Sequence, residues 1–151
     1  MVNLSRIITD KGVLTAVATI QNQDQSAKLT IDAGTAVLTR DKKPVSEITM
    51  KVLDKVPALP QGAYAISDTY DFGPAGATFN PPARLQLTYC DCRVTEGVAE
   101  KDLFIARWDA ESGKWVELVS QVLPNVNIVS ANIPHFTAFT ILGYKTASTP
   151  R

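Results

Sequence analysis

Short runs in which apolar or β-branched residues alternate with polar ones recur along the chain, between clusters of Gly, Pro, Asn and Asp. A period of two places successive side chains on opposite faces of a strand, and such clusters are typical of turns. Arg84 to Tyr89 shows the pattern most clearly, because Leu85 and Leu87 share one face and are therefore predicted core residues. The other predicted strands cover residues 13–20, 28–31, 35–39, 45–53, 103–108, 114–119, 128–133 and 136–142.

These runs predict an all-β protein, since about eight to ten short strands at this spacing are typical of an antiparallel β-sandwich with Greek-key-like connections. Only Thr95 to Asp102 lacks alternation and permits a turn of helix. The stretch 71–82 contains two Gly and three Pro residues, which restrict the backbone and exclude a helix. We expect it to be an ordered crossing loop in the middle of the domain, with Phe72 and Phe79 anchored on the core.

The same pattern predicts the domain boundaries. Residues 1–11 are interpreted as an N-terminal extension, 12–142 as one β-sandwich domain and 143–151 as a linker-like C-terminal tail. A chain of 151 residues is long enough to bury one hydrophobic core. No apolar run approaches the roughly 18 residues that a bilayer-spanning helix needs, so direct membrane insertion is not expected.

The charge balance bears on the partners of the protein. Fifteen basic residues match fifteen acidic ones, and there is one His. A neutral chain of this kind has no general attraction for nucleic acid or anionic lipid, so neither is an expected partner. The composition, 45% hydrophobic and 20% charged, is that of a folded globular protein.

Cys90 and Cys92 are separated by one residue, which places both side chains on one face if the segment is a strand. A disulfide between such neighbours in extended chain is strained, so two thiols are predicted, with a redox-active or intermolecular disulfide as the alternative. A zinc site needs more soft ligands than one His supplies. Asp68, Asp71 and Asp91 do not have the spacing of a calcium loop. No metal or cofactor is predicted.

Trp108 and Trp115 flank the loop at residues 109–113, whose Gly113 suits a hairpin turn. One hypothesis is that the two rings form a platform that binds a sugar. The alternative is that the rings pair across the hairpin for packing alone, which facing strands commonly do.

His135, Phe136 and Thr137 form the segment that comes nearest to a catalytic arrangement. His135 as general base would activate the Thr137 hydroxyl, whose oxygen would attack the carbonyl of Phe136 in an N-to-O acyl shift, and hydrolysis of the ester would then cleave the chain. The alternative is that His135 and Thr137 share one face of the last strand while Phe136 fills the core. No glycine-rich phosphate loop or nucleophile elbow is present.

Three segments resemble a known group of modules: LTIDAGT at residues 29–35, YDFGPAGATFNPPA at 70–83, and HFTAF at 135–139, with Trp115 between the last two. The chain is similar to β-sandwich modules of archaeal and bacterial surface proteins, which in turn are similar to the domain shared by zonula occludens proteins, netrin receptors and ankyrins. Some relatives of the intracellular branch cleave themselves at His-Phe-Ser, and this chain has Thr137 in place of the Ser.

The resemblance implies a scaffolding or protein-contact module within a longer chain. We therefore expect a non-catalytic module of a cell-surface or secreted protein, with a cytoplasmic location as the alternative. The expected partners are neighbouring domains of the parent protein or another protein. The two competing hypotheses are an autoproteolytic domain that cleaves between Phe136 and Thr137, and a carbohydrate-binding module.

Overall fold

A computed structural model of the chain describes residues 2–145, which form thirteen β-strands and two 3-10 turns, Asp91–Arg93 and Glu100–Asp102. The strands, in chain order, are β1 (Val2–Asn3), β2 (Ala18–Gln21), β3 (Ala27–Ile31), β4 (Ala36–Leu38), β5 (Glu47–Val52), β6 (Ala63–Ala65), β7 (Tyr70–Gly73), β8 (Thr78–Thr88), β9 (Phe104–Asp109), β10 (Lys114–Glu117), β11 (Ser120–Leu123), β12 (Ile128–His135) and β13 (Ala138–Tyr144). The predicted all-β class is confirmed. The count exceeds the expected number because β1, β6, β7 and β11 have only two to four residues each, too few to show alternation.

The strands form two antiparallel sheets. The first sheet has the order β1-β5-β7-β13-β9-β10, with β6 also paired to β13. The second sheet has the order β11-β12-β8-β3-β2, with β4 also paired to β8. The chain changes sheets between β1 and β2, β4 and β5, β7 and β8, β8 and β9, β10 and β11, and β12 and β13. Strands that are distant in sequence therefore become neighbours, as in a Greek-key sandwich.

The main core lies between the two sheets and follows the alternation of the strands. Leu85 and Leu87 of β8 are fully buried, as predicted, and Leu29 and Ile31 of β3 are buried beside them. The core begins earlier than Gly12, because β1 pairs with β5 and the side chain of Leu4 is completely buried. The predicted domain end at Leu142 is too early, because β13 continues to Tyr144, and the rest of the predicted tail lies outside the described residues from position 146 onward.

Two passages between the sheets lie side by side. The segment 74–77 leads from β7 to β8, and Phe136 and Thr137 lead from β12 to β13. The amide of Phe136 donates to the carbonyl of Ala77 at 2.8 Å, and the amide of Gly76 donates to the carbonyl of Phe136 at 3.4 Å. The two connections thus bind each other and fix the stacking of the sheets.

The predicted crossing loop is shorter than expected, because residues 71–73 belong to β7 and residues 78–82, with Pro81 and Pro82, belong to β8. In the ladder of β8 with β12, Ile133 pairs with Ala83 but His135 pairs with Thr78. Between these two pairs, β12 advances by two residues whereas β8 advances by five. Prolines lack the amide hydrogen of a regular ladder, and a bulge of this kind accommodates them inside a strand.

The outer face of the first sheet carries a second hydrophobic cluster. Its buried members are Phe104, Ala106, Trp115, Ala138 and Leu142. Partly buried residues from the segment between β5 and β6, such as Leu53 and Leu59, pack against it. The residues of β13 before its last are consequently buried on both faces, which explains their nearly continuous apolar sequence.

Cys90 and Cys92 form a disulfide, so the prediction of two thiols was wrong. The strand ends at Thr88, and the cysteines lie at a 3-10 turn. Their Cα atoms are 5.1 Å apart, within the range that a disulfide bridges. In extended chain the same two atoms would be about 6.6 Å apart. Within residues 2–145, no helix has the length and apolar character that crossing a bilayer requires.

Candidate functional site

The predicted residues His135, Phe136 and Thr137 lie at the passage from β12 to β13, on the wall of a cleft of about 450 Å³ that we call the crossing cleft. The rest of the wall comes from the β7–β8 connection, the β9–β10 hairpin and the loop after β4. Its other lining residues are Arg40, Asp71, Ala75, Gly76, Arg107, Trp108, Asp109, Ala110 and Glu111. The cleft thus combines one His with cations and carboxylates.

Phe136 points away from this cleft into the main core. Its ring is 5.3 Å from the ring of Phe72 in a stacked arrangement and 4.7 Å from the ring of Phe79, edge to face. Aromatic pairs at these separations stabilise a core beyond the area that they bury. Phe136 therefore packs the connection between β12 and β13 against the main core.

The Thr137 hydroxyl already has a partner. It donates a hydrogen bond of 2.6 Å to the main-chain carbonyl of Trp108 in β9. The carbonyl of Thr137 accepts from the amide of Phe72 at 3.4 Å. For an N-to-O acyl shift, the hydroxyl must instead give its proton to a base. The observed hydrogen bond directs this proton at the Trp108 carbonyl and not at His135. It links β9 to the connection between β12 and β13.

His135 is half-buried at the end of β12. Burial lowers the pKa of its imidazole, the charge of Arg107 lowers that pKa further, and Asp109 opposes the shift. Asp109 is turned toward its own loop, where its carboxylate accepts from the Ser112 hydroxyl at 2.9 Å and from the Glu111 amide at 3.1 Å. These hydrogen bonds, above all that from Ser112, lower the pKa of Asp109. At neutral pH the imidazole of His135 is therefore neutral, and the carboxylate of Asp109 is ionised.

Arg40 lies directly over the backbone of Gly76. A side-chain carbon added at Gly76 would come within 2.6 Å of the Arg40 Nε atom, and the φ of +81° at this position also favours glycine. The guanidinium therefore rests on the β7–β8 connection. The sequence did not indicate a role for Arg40 or Arg107, because nothing distinguishes them there from the other charged residues. Only the fold brings both to one cleft.

Trp108 and Trp115 are direct cross-strand partners on β9 and β10. Their ring centroids are 5.5 Å apart, with an edge-to-face angle of 62°. Trp115 is only 8% exposed, and its indole Nε1 donates to the carbonyl of Pro57 at 3.3 Å. This is the geometry of a packing pair under the segment between β5 and β6. The hypothesis that the two rings bind a sugar stays a prediction. The ring of Trp115 is covered in this arrangement.

A second concave region, of about 270 Å³, begins at Cys90. The hydroxyl groups of Tyr70 and Ser26 are hydrogen-bonded across it at 2.7 Å. The buried Tyr89 donates from its hydroxyl to Glu100 at 2.6 Å. Burial, together with this carboxylate, raises the pKa of Tyr89, and burial raises that of Tyr70.

The three aspartates considered for calcium have different surroundings. Asp68 pairs with Arg93 at 2.8 Å, while Asp71 lines the crossing cleft and Asp91 belongs to the disulfide turn. Among the residues that the structure describes, no group of three His, Cys, Asp or Glu side chains is arranged to hold a metal ion.

Comparison of the chain with models of known protein families finds no match, and comparison with curated protein sequences finds none. The resemblance to surface-protein modules therefore stays a prediction from the sequence motifs.

Proposed function

We propose that the chain is a non-catalytic β-sandwich module of a larger cell-surface or secreted protein, and that it contacts a neighbouring domain. The observation that carries the non-catalytic part is the hydrogen bond from the Thr137 hydroxyl to the Trp108 carbonyl. Residues 135–137, which come nearest to a catalytic arrangement in the sequence, instead lie at the connection between β12 and β13, which joins the two sheets. Its aromatic residue fills the core, and its hydroxyl holds β9.

The test is the intact mass of the purified protein after long incubation at neutral pH. We expect a single unbroken chain, because the hydroxyl proton is not delivered to His135. A matched control is Thr137→Ser, which keeps the hydroxyl and removes the β-methyl group; it should stay intact as well. Cleavage between Phe136 and Thr137 that is abolished by His135→Ala would overturn the proposal in favour of the autoproteolytic alternative.

The contact with a neighbouring domain is supported by a groove where the described chain leaves the fold. Tyr144, the last residue of β13, stacks on Phe104 at 5.8 Å, and Val119 beside them is 98% exposed. These residues, with Leu103 and Leu118, line a groove of about 490 Å³ that we call the exit groove. Because β13 ends beside this groove, we propose a neighbouring domain of the parent polypeptide as its occupant.

Amine crosslinking of the parent polypeptide tests this contact. Lys101 lines the exit groove, whereas Lys28 lies exposed on β3 of the second sheet and serves as the control position. We expect crosslinks from Lys101 to the following domain, and fewer of them in the variant Val119→Glu. Crosslinks from Lys28 instead would contradict the assignment, and crosslinks from Lys101 to a different protein would replace the neighbouring domain by a separate partner.

A further inference from the structure

The disulfide between Cys90 and Cys92 lies on the protein surface, and both cysteines are exposed. We propose that this pair is a site of thiol–disulfide exchange with a small, polar thiol of the glutathione type. Exchange requires that an incoming sulfur reach the bond, and exposure at a turn provides that access. The proposal concerns chemistry of the cysteines alone and is independent of the module's contact with a neighbouring domain.

The bond does little to hold the fold together. A disulfide stabilises a protein mainly by closing a loop in the unfolded chain, and its effect grows with the length of that loop. Here the cysteines are two positions apart, so the loop is nearly the shortest that the chain allows. The bond joins no strand to another and neither sheet to the other.

Other contacts hold the turn in place. The amide of Arg93 donates to the carbonyl of Cys90 at 2.9 Å, and the guanidinium of Arg93 pairs with Asp68 at 2.8 Å. On the preceding side, Tyr89 is buried and hydrogen-bonded to Glu100. The turn therefore keeps its shape when the bond is reduced, and the two sulfurs stay close enough to form it again.

The two sulfurs differ in their surroundings, which gives the exchange a direction. The amide of Cys92 donates to the sulfur of Cys90 at 3.1 Å. A hydrogen bond to sulfur stabilises the thiolate that forms when the bond breaks, so Cys90 is the better leaving group. The incoming thiolate consequently attacks the sulfur of Cys92.

The exchange balances as two displacements. In the first, a new bond forms between the incoming sulfur and Cys92, the bond between Cys90 and Cys92 breaks, and its electron pair leaves with Cys90, which takes up a proton. In the second, another thiolate attacks the external sulfur and releases Cys92 as a thiolate. One protein disulfide is reduced by two electrons while two small thiols become one disulfide. The reverse sequence reoxidises the pair.

The concave region beside Cys90 favours a polar thiol. Its polar lining includes hydroxyl groups, a guanidinium and two carboxylates, from Ser26, Ser67, Tyr70, Thr88, Arg93, Asp24 and Asp68. Hydroxyl groups bind amides, the guanidinium binds carboxylates and the aspartates bind an ammonium group; a glutathione-type molecule carries all three kinds of group and an apolar thiol carries none.

The experiment equilibrates the folded protein with mixtures of reduced and oxidised glutathione, blocks thiols by alkylation and measures intact mass. We expect both cysteines to become blocked together and reversibly, with a midpoint set by the glutathione ratio. The variant Cys90→Ser should accumulate a glutathione adduct at Cys92, which the parent protein resolves. Oxidised and reduced protein should melt within about 6 °C of each other, because the bond closes so short a loop.

Three outcomes would overturn the proposal. The first is a disulfide that glutathione reduces only after the protein is unfolded. The second is a pair that stays reduced in excess oxidised glutathione. The third is a reduced form that melts far below the oxidised form, which would make the bond a structural one.

Discussion

Phe79 shows how much of the fold depends on single aromatic side chains. It is 3% exposed, and its ring meets Phe136 edge to face at the junction of the two passages between the sheets. We expect Phe79→Ala to lower the free energy of unfolding by about 3 to 5 kcal/mol, because it removes buried apolar surface and leaves a cavity. Chemical denaturation monitored by tryptophan fluorescence measures this change.

Val119→Ala is the matched control for Phe79→Ala. Val119 is almost fully exposed, so its truncation should change stability by no more than about 0.5 kcal/mol. Equal unfolding midpoints for Phe79→Ala and the parent protein would show that the ring is not an anchor of the passages.

The single His of the chain allows an unambiguous titration. Because burial and Arg107 lower the pKa of His135, its ring resonances in nuclear magnetic resonance should titrate below the ordinary value of about 6.5. The variant Arg107→Gln should raise this pKa, and Arg93→Gln, at the disulfide turn, should leave it unchanged. A midpoint above 6.5, or a fall in Arg107→Gln, would contradict this account.

The same shift has a consequence for stability. A lowered pKa means that the folded protein binds fewer protons than the unfolded chain once the pH falls below about 6.5. The contribution of His135 to stability is therefore present above that pH and is lost as the pH falls through its folded pKa. The variant His135→Gln should lose less stability than the parent protein between about pH 7 and 5.

Among the elements, those with a clear alternation were predictable and those shaped by tertiary context were not. The runs at 28–31 and 84–89 correspond to β3 and to the end of β8 because one face of each is buried and the other is accessible. The beginning of β8 was not predictable, because prolines are unusual inside a strand. Only the bulge opposite Ile133 and His135 accommodates them. The continuous apolar sequence of β13 was the one available signal that the first sheet is covered on both faces.

Gly143 of β13 tests how closely β13 packs against main-core residues. An added side-chain carbon would come within 2.5 Å of Val98 Cγ1 and 2.8 Å of Leu103 Cδ2. We expect Gly143→Ala to cost about 1 to 3 kcal/mol by forcing the segment before β9 away from β13. Thermal unfolding measures the loss.

A double-mutant cycle provides the control for Gly143→Ala. In a Val98→Ala background, space opens beside position 143, so the cost of Gly143→Ala should shrink. Equal costs in the two backgrounds would show that packing against Val98 does not explain the effect.

For the whole molecule, the sandwich and its antiparallel strands followed from the sequence, but the candidate site followed only in part. The motif at residues 135–137 was recognisable, yet its hydrogen bond to Trp108 depends on β9, which is nearly thirty residues away in sequence. The disulfide also depended on the chain leaving the extended conformation after Thr88. The hydrogen bond is set by how distant elements pack, and the disulfide by a local 3-10 turn; the alternation of apolar and polar residues encodes neither.

The register of the first sheet determines how the fold would respond if tension were applied to the two ends of the described chain. Val2 pairs with Ile48 near one end of the sheet, whereas β13 runs toward the other end and finishes at Tyr144. Pulling on the two ends would draw β13 lengthwise between β9 on one side and β6 and β7 on the other, loading many hydrogen bonds together. The two-residue β1 would detach first and lengthen the tether while the sandwich stays closed.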